Sequence, residues 1–236
     1  MPNHRIIEIR EHQDLMVSRA TGITRTQRVY DDIRSAILLG TFKPGTPLRL
    51  AELAERFDVS MSVVREALTR LAEQHLVALA PRSGFRVVEI SRQDLADLVD
   101  MRIEFEGMAL VRSVERGDLA WQANVVSAHH VLEHTPFRAP GQPGTTDAWA
   151  EAHAAFHDAL GAACGSPRLL AFTRMLRDSA ELYRQISGRG PHTDRDVAEE
   201  HRRLLELAVA RRADEAREAL KEHFLLTARE LDGLLD

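Results

Sequence analysis

Two histidines, His153 and His157, stand four residues apart in the stretch HAAFHDAL. On a helix this spacing places both imidazoles on one face, where they can ligate one metal ion. His201 lies near the start of a later predicted helix, and His223 lies midway along the next one. A helical bundle can bring the four imidazoles to one point, and imidazole ligands suit zinc, nickel, copper or iron. Because the chain holds 11 histidines in 236 residues, chance pairs on solvated faces are the competing interpretation.

The histidine spacing does not by itself indicate an enzyme. In the helix of zinc proteases a glutamate follows the first histidine and serves as the general base, whereas here that position is Ala154. Four protein ligands also complete the tetrahedral coordination of zinc and leave no position for an activated water. No Ser/His/Asp arrangement and no glycine loop for phosphate stands out in the sequence. We therefore expect a protein that is not an enzyme, with a metal-dependent hydrolase or lyase as the alternative.

The composition limits the class of protein. Hydrophobic residues make up 44% of the chain and charged residues 28%, which is ordinary for a soluble globular protein. Cys164 is the one cysteine of the sequence, which excludes an internal disulfide and a thiolate metal cluster. No apolar run approaches the roughly 20 residues that span a bilayer, and the N-terminal segment lacks the apolar region of a signal peptide. We expect a cytoplasmic protein without a membrane partner.

Charge divides the chain into two parts. Residues 1–88 hold 13 of the 31 Lys and Arg against 10 of the 36 Asp and Glu, a net charge of +3. Residues 89–236 hold the remaining 18 and 26, a net charge of −8. Such an asymmetry indicates two domains with different partners, which we place at 23–88 and 89–236. Residues 1–22 are compatible with a disordered arm or with an extra helix.

The first part has the element order of a winged helix. Apolar residues at helical spacing predict helices across TRTQRVYDDIRSAILLG, LRLAELAERFDV and MSVVREALTRLAEQHLV. A tight DVS turn joins the last two, as in a helix-turn-helix. Strand-like runs at Val77–Ala80 and Phe85–Val88 flank PRSG, in which Gly84 permits a tight turn. Arg82 and Ser83 then form the tip of a wing, where a basic side chain can reach a groove or a phosphate.

The stretch from IRSAILLG to SGFRV, with VREALTRL near its centre, resembles the DNA-binding domain of the GntR family of bacterial transcription regulators. The resemblance implies that this domain binds double-stranded operator DNA. Carried over position by position, the DNA contacts fall on Arg49, Ser60, Met61, Ser62, Arg65, Arg82, Ser83 and Gly84.

Two of these positions, Met61 and Arg65, have more than one interpretation. Met61 stands where the family commonly has an arginine, and methionine donates no hydrogen bond. The substitution therefore implies an altered base preference or a weaker affinity at this position. Arg65 can fork onto the O6 and N7 atoms of guanine. Its competing role is an ion pair with a helical neighbour, Glu66 or Glu73.

From Ser91 onward the pattern predicts an antiparallel bundle of about six helices joined by short loops. This part resembles the FCD ligand-binding domain of FadR-like GntR regulators, because HAAFHDAL, EHRRLLELAVA and ALKEHF match its pattern in order. The resemblance implies a divalent metal ion on His153, His157, His201 and His223. The family usually has aspartate at position 153. An imidazole there removes one negative charge and favours zinc, with nickel or copper as alternatives, over manganese.

The resemblance also implies a role for an arginine in the stretch VDMRIEFEGMAL. Arg102 matches the family's position and can bind a carboxylate of a small effector bidentately, next to the metal. Alternatively it pairs with Glu106 at helical spacing, an interaction worth about 0.3–0.5 kcal/mol on a surface. Both interpretations stay open at this point.

These features together predict a mainly α-helical transcription regulator, with an N-terminal winged helix-turn-helix and a C-terminal helical bundle. Regulators of this kind read near-palindromic half-sites with a two-fold protein, so we expect a homodimer. The bundle is expected to bind a metal ion and a small carboxylate effector that modulates operator binding. The alternatives are a metal-free pocket for an acyl ligand or other small molecule, and a metal-dependent hydrolase fused to a winged helix.

Overall fold

The computed structural model describes residues 24–80, 84–139, 145–187 and 195–233. Contacts divide the chain into two compact units, Met1–Ile37 with Thr41–Val88 and Leu38–Gly40 with Glu89–Asp236. The order of elements is that of a winged helix-turn-helix followed by a helical domain, which confirms the predicted fold class. The predicted N-terminal arm, residues 1–22, lies outside the described residues.

The first unit combines helices with a small antiparallel sheet. Its described elements are α1 Arg25–Leu38, β1 Pro47–Leu48, α2 Leu50–Phe57, α3 Met61–Glu73, β2 Val77–Ala80 and β3 Gly84–Val87. The apolar stripes expected from the sequence are buried, as shown by Ile33 on α1, Leu53 on α2 and Leu68 on α3. This core holds α3 against the other helices and leaves its opposite face exposed.

A three-residue turn sets the direction of α3. Asp58 ends α2 in the left-handed conformation, with φ 50° and ψ 52°, which aspartate tolerates better than most residues. The amide of Val59 then donates to the carbonyl of Ala54 at 3.0 Å. Ser60, in extended conformation, precedes the first turn of α3. The turn therefore connects α2 to α3 directly, without a long loop.

The sheet corrects one sequence prediction. Strand β3 lies in the centre, paired antiparallel to β2 with Val77 opposite Val87 and to β1 with Leu48 opposite Phe85. Leu48 was predicted to begin the second helix, and this is wrong because it belongs to β1. A strand of two residues is too short to show an alternating pattern. Its pairing depends on β3, almost 40 residues later in the chain.

The second unit contains six helices in its described residues, as predicted. They are α4 Arg92–Arg116, α5 Leu119–His134, α6 Asp147–Gly161, α7 Pro167–Ser187, α8 Val197–Val209 and α9 Ala213–Asp232. Helix α4 packs against α7 and α9, and α5 packs against α6 and α8. This packing brings one face of α6 close to α8 and α9. Within the described residues no helix is both long and apolar enough to cross a membrane.

Local capping explains where the helices of this unit begin. The Ser91 hydroxyl accepts from the Asp94 amide at 3.1 Å, and the Asp118 carboxylate accepts from the Trp121 amide at 2.8 Å. Serine and aspartate are among the residues that most often cap a helix in this way. The carboxylate of Asp94 accepts from the Tyr183 hydroxyl on α7. The start of α4 is thus fixed to a neighbouring helix.

Candidate nucleic-acid interface and metal centre

The exposed start of α3, together with the residue before it, carries four of the predicted DNA contacts. Ser60 and Ser62 share a hydrogen bond of 2.8 Å between their hydroxyls, and Met61 between them is 56% exposed. The Ser60 side chain makes no hydrogen bond to the backbone of the helix. Arg65 follows one turn later and is also exposed. The start of α3 therefore offers hydroxyls, backbone amides and a guanidinium to an external anion.

The ion pair expected as an alternative for Arg65 is not present. Among the described residues no ion pair joins Arg65 to Glu66 or Glu73, and Glu66 instead lies 3.5 Å from the Thr26 hydroxyl. Arg49, just before α2, pairs with Glu52 at 2.8 Å, with both side chains exposed. An exposed ion pair of this kind contributes little to stability, so Arg49 can exchange Glu52 for a DNA phosphate at low cost.

The wing is described only in part. Gly84 begins β3 with φ +78°, a conformation that residues with a Cβ atom rarely adopt. The tip residues Arg82 and Ser83 lie outside the described residues, and their predicted DNA contacts stay predictions.

The four predicted histidines meet inside the second unit. Helix α6 supplies His153 and His157, α8 supplies His201 and α9 supplies His223. One ring nitrogen from each lies within 4.8 Å of the others. Phe156 and Phe224, both fully buried, pack against these rings. The described helices therefore bring four nitrogen donors together, three of them on buried side chains.

Two of the imidazoles carry unsatisfied buried nitrogens. Nε2 of His157 and Nε2 of His201 have no hydrogen-bond partner among the described residues. A buried polar atom without a partner costs about 1–3 kcal/mol. Burial, together with nearby imidazoles and arginines, lowers the pKa of both rings well below the ordinary value. The rings are therefore neutral, which is the form that binds metal ions.

Glu200 orients the fourth histidine. Its Oε2 atom lies 2.7 Å from Nδ1 of His223. Burial would raise the pKa of this carboxyl, but hydrogen bonds from Arg195 and His223 lower it to about 2. An ionised carboxylate only accepts, so His223 carries its proton on Nδ1 and leaves the lone pair of Nε2 free. Carboxylates in this position orient histidine ligands of metal ions.

A network of ion pairs connects Glu200 on α8 to residues of α9. Arg195 pairs with Glu200 at 2.6 Å and with Glu230 at 3.1 Å, and it donates to the backbone carbonyl of His223 at 3.0 Å. Sequence reasoning missed Glu200, although it directly precedes His201. Its partner lies 23 residues away on another helix, so no local pattern identifies the pair.

Arg184 on α7 approaches the first histidine. Its Nη1 atom lies 2.5 Å from Nδ1 of His153, while its Nη2 atom pairs with Glu181. The guanidinium lies over the Trp149 ring, 5.1 Å from the centroid. Burial and the charge of Arg102 lower the pKa of Arg184 to about 9. Sequence reasoning missed this residue as well.

Arg102 pairs with Glu106, which was the alternative considered from the sequence, but this pair is buried and not on the surface. Its Nε atom lies 2.6 Å from Oε1 of Glu106, and Arg177 binds the other oxygen of Glu106 at 3.0 Å. Its guanidinium also lies over the Phe224 ring, 3.9 Å from the centroid. Because the pair is buried and its carboxylate is bound by two arginines, the energy quoted for a surface pair does not apply to it. The effector contact of Arg102 stays a prediction.

Comparison with known proteins identifies both parts of the chain. Residues 25–87 match the family model described as bacterial regulatory proteins, gntR family, and residues 97–226 match the FCD domain. The regulator BphR of Paraburkholderia xenovorans is 35% identical over 84% of this chain and 81% of its own length. The transcriptional repressor GlaR of Escherichia coli is 32% identical over 83% of this chain and 90% of its own length.

Solved structures show the same fold. McbR/YncC of Escherichia coli matches with a TM-score of 0.76 and 23% identity, covering 91% of this chain and all of that chain. A GntR regulator from Rhodococcus sp. RHA1 matches with a TM-score of 0.72 and 26% identity, covering 89% and 98%. These relatives are regulators, which confirms the prediction that the chain is not an enzyme. The chain belongs to the GntR family of bacterial transcription regulators and carries an FCD effector-binding domain.

Proposed function

We propose that this DNA-binding regulator holds one divalent metal ion on His153, His157, His201 and His223. We further propose that a small carboxylate effector at this centre changes its affinity for operator DNA. The observation that carries the proposal is the approach of four imidazole nitrogens to within 4.8 Å of one another. The two partnerless Nε2 atoms of His157 and His201 support it, because a metal ion would satisfy both.

The donor set indicates which metal the centre prefers. Four neutral nitrogens suit zinc, with nickel and copper as alternatives, better than the oxygen-preferring manganese. Because none of the four ligands is anionic, they neutralise none of the ion's positive charge. A metal ion in such a site attracts an anion. A small carboxylate is the ligand that this charge and the nearby Arg102 favour.

The proposed regulator acts as a homodimer on double-stranded operator DNA. A two-fold protein matches two half-sites about one helical turn apart, so each winged helix reads one half-site. The exposed residues Ser60, Ser62 and Arg65 provide the contacts on α3. Zinc and the effector then act on the same equilibrium between free and operator-bound protein.

We expect protein purified without a histidine tag to contain about one equivalent of zinc per chain. His157→Ala should abolish this content, because it removes a buried ligand from the centre. His130→Ala, which removes an exposed histidine on α5, is the matched control and should retain the metal. Elemental analysis measures both. Less than about half an equivalent in the wild type, unchanged by His153→Ala, would instead favour the metal-free pocket.

Glu200→Gln should weaken zinc binding about 10- to 100-fold, because the amide no longer provides the charge that fixes the proton on Nδ1 of His223. Competition with a zinc-binding dye measures the dissociation constant. Glu199→Gln is the matched control, since the neighbouring Glu199 is exposed and pairs with Arg202. Equal zinc affinities for the two variants would contradict the role of Glu200.

Arg65→Ala should cost about 1–3 kcal/mol of operator affinity, because it removes a base or phosphate contact from α3. The operator can be selected from random DNA with the wild-type protein, and band shifts then give the affinities. Arg25→Ala removes the same charge from the start of α1 and should have a smaller effect. Undiminished binding by the Arg65 variant would show that α3 does not read DNA through this side chain.

The effector part is tested in the same band shift. Operator affinity is measured with and without zinc, and with a series of small mono-, di- and tricarboxylates. The proposal expects at least one acid to change the affinity of zinc-loaded protein and to have less effect on the His157→Ala variant. An affinity that is insensitive to every acid, in the presence of zinc, would overturn it.

A further inference from the structure

We propose that Met61 selects a thymine in the operator, because its side chain contacts the C5-methyl group of that base in the major groove. Met61 then alters the base preference of α3 and does not merely weaken its binding. This role rests on the proposed contact of α3 with operator DNA. It is independent of the metal ion and of the effector.

Met61 is an apolar residue at the exposed start of a helix. Its side chain is 56% exposed, and among the described residues of the first unit Leu79 is the other large apolar side chain that is exposed. Single exposed apolar residues are common on protein surfaces, so exposure alone indicates no partner. The position of Met61 is more informative, because it is the first residue of α3. In a helix-turn-helix the N-terminal residues of the second helix contact base edges.

The side chains of α3 divide into a buried set and an exposed set. Val64 lies in the core of the first unit. Glu66 contacts α1, where its carboxylate lies 3.5 Å from the Thr26 hydroxyl. Met61 and Arg65 are four residues apart, which places them on the same side of the helix, and both are exposed. An apolar group and a guanidinium are thus available to the same partner.

Methionine matches one of the groups that line the major groove. Its thioether has no hydrogen to donate, so it cannot donate to O6 or N7 of guanine or to a phosphate oxygen. The C5-methyl group of thymine is the apolar group that base edges present in this groove. Contact between the two groups removes apolar surface of both from water. The unbranched side chain is flexible enough to adapt to the position of the methyl group.

The two serines beside Met61 suit the phosphate backbone. The hydroxyls of Ser60 and Ser62 share a hydrogen bond of 2.8 Å, which uses one of the two hydroxyl hydrogens. The other hydrogen is available to a phosphate oxygen. Phosphate contacts fix the position of a protein on DNA, and base contacts specify the sequence. The serines thus position α3 on the backbone while Met61 contacts a base.

Helix geometry relates the thymine to the base that Arg65 contacts. Four residues advance about 6 Å along a helix, at roughly 1.5 Å per residue. Base pairs are about 3.4 Å apart along the duplex. A thymine at Met61 and a guanine at Arg65 therefore lie about two base pairs apart in each half-site, with α3 lying in the major groove.

Deoxyuridine tests the contact without a protein variant, because it differs from thymidine only in lacking the C5-methyl group. The operator is selected from random DNA with wild-type protein, and each thymine of a half-site is then replaced in turn. At one position the replacement should weaken binding about fourfold, as expected for the loss of one buried methyl-sized group. Band shifts measure the affinities. Undiminished binding at every position overturns the proposal.

Met61→Ala shows whether this side chain makes the contact. The variant should bind the thymine operator and the deoxyuridine operator equally. Met108→Ala is the matched control, since it removes an exposed methionine from α4, outside the DNA-binding unit, and it should keep the difference. A difference that persists in Met61→Ala, whatever its overall affinity, places Met61 away from the methyl group and overturns the proposal.

Met61→Arg should change the selected base. Arginine donates two hydrogen bonds to O6 and N7 of guanine, so selection from random DNA should replace the thymine by guanine at the same position. An unchanged thymine overturns the proposal. Weaker binding by Arg65→Ala without any effect of deoxyuridine removes the role of Met61 alone, whereas undiminished binding by Arg65→Ala contradicts the proposed contact of α3 itself.

Discussion

Four imidazoles packed against one another, three of them buried, are the constraint on which the second unit depends. Helices α6, α8 and α9 remove these rings from water, and the neighbouring rings of Phe156 and Phe224 offer no donor in exchange. The Nε2 atoms of His157 and His201 are left without partners among the described residues. A buried polar atom without a partner calls for an explanation, of which a bound ion is one. A metal ion would satisfy both atoms at once.

Two charged residues contact the outer histidines of the cluster. Glu200 on α8 holds His223 in the tautomer that leaves a lone pair for a metal ion. Arg184 on α7 lies against the ring of His153. An anionic and a cationic side chain thus border the proposed metal centre.

The sequence was sufficient to predict those features of the fold and the site that depend on local patterns. Helical periodicity predicted the six helices of the bundle, and the resemblance placed four histidines that the structure brings together. Leu48 was misplaced because its strand exists only through pairing with β3. Glu200 and Arg184 were missed because their partners lie 23 and 31 residues away on other helices. Such contacts depend on how helices pack, which periodicity does not reveal.

The central claim is that the four imidazoles together form one metal site. X-ray absorption spectroscopy of zinc-loaded, untagged protein tests it most directly, because it counts and identifies the atoms bound to zinc. The account predicts four imidazole nitrogens at about 2.0–2.1 Å, with an added oxygen when an acid is bound. A zinc shell of mainly oxygen atoms, or with only one or two imidazoles, would contradict it.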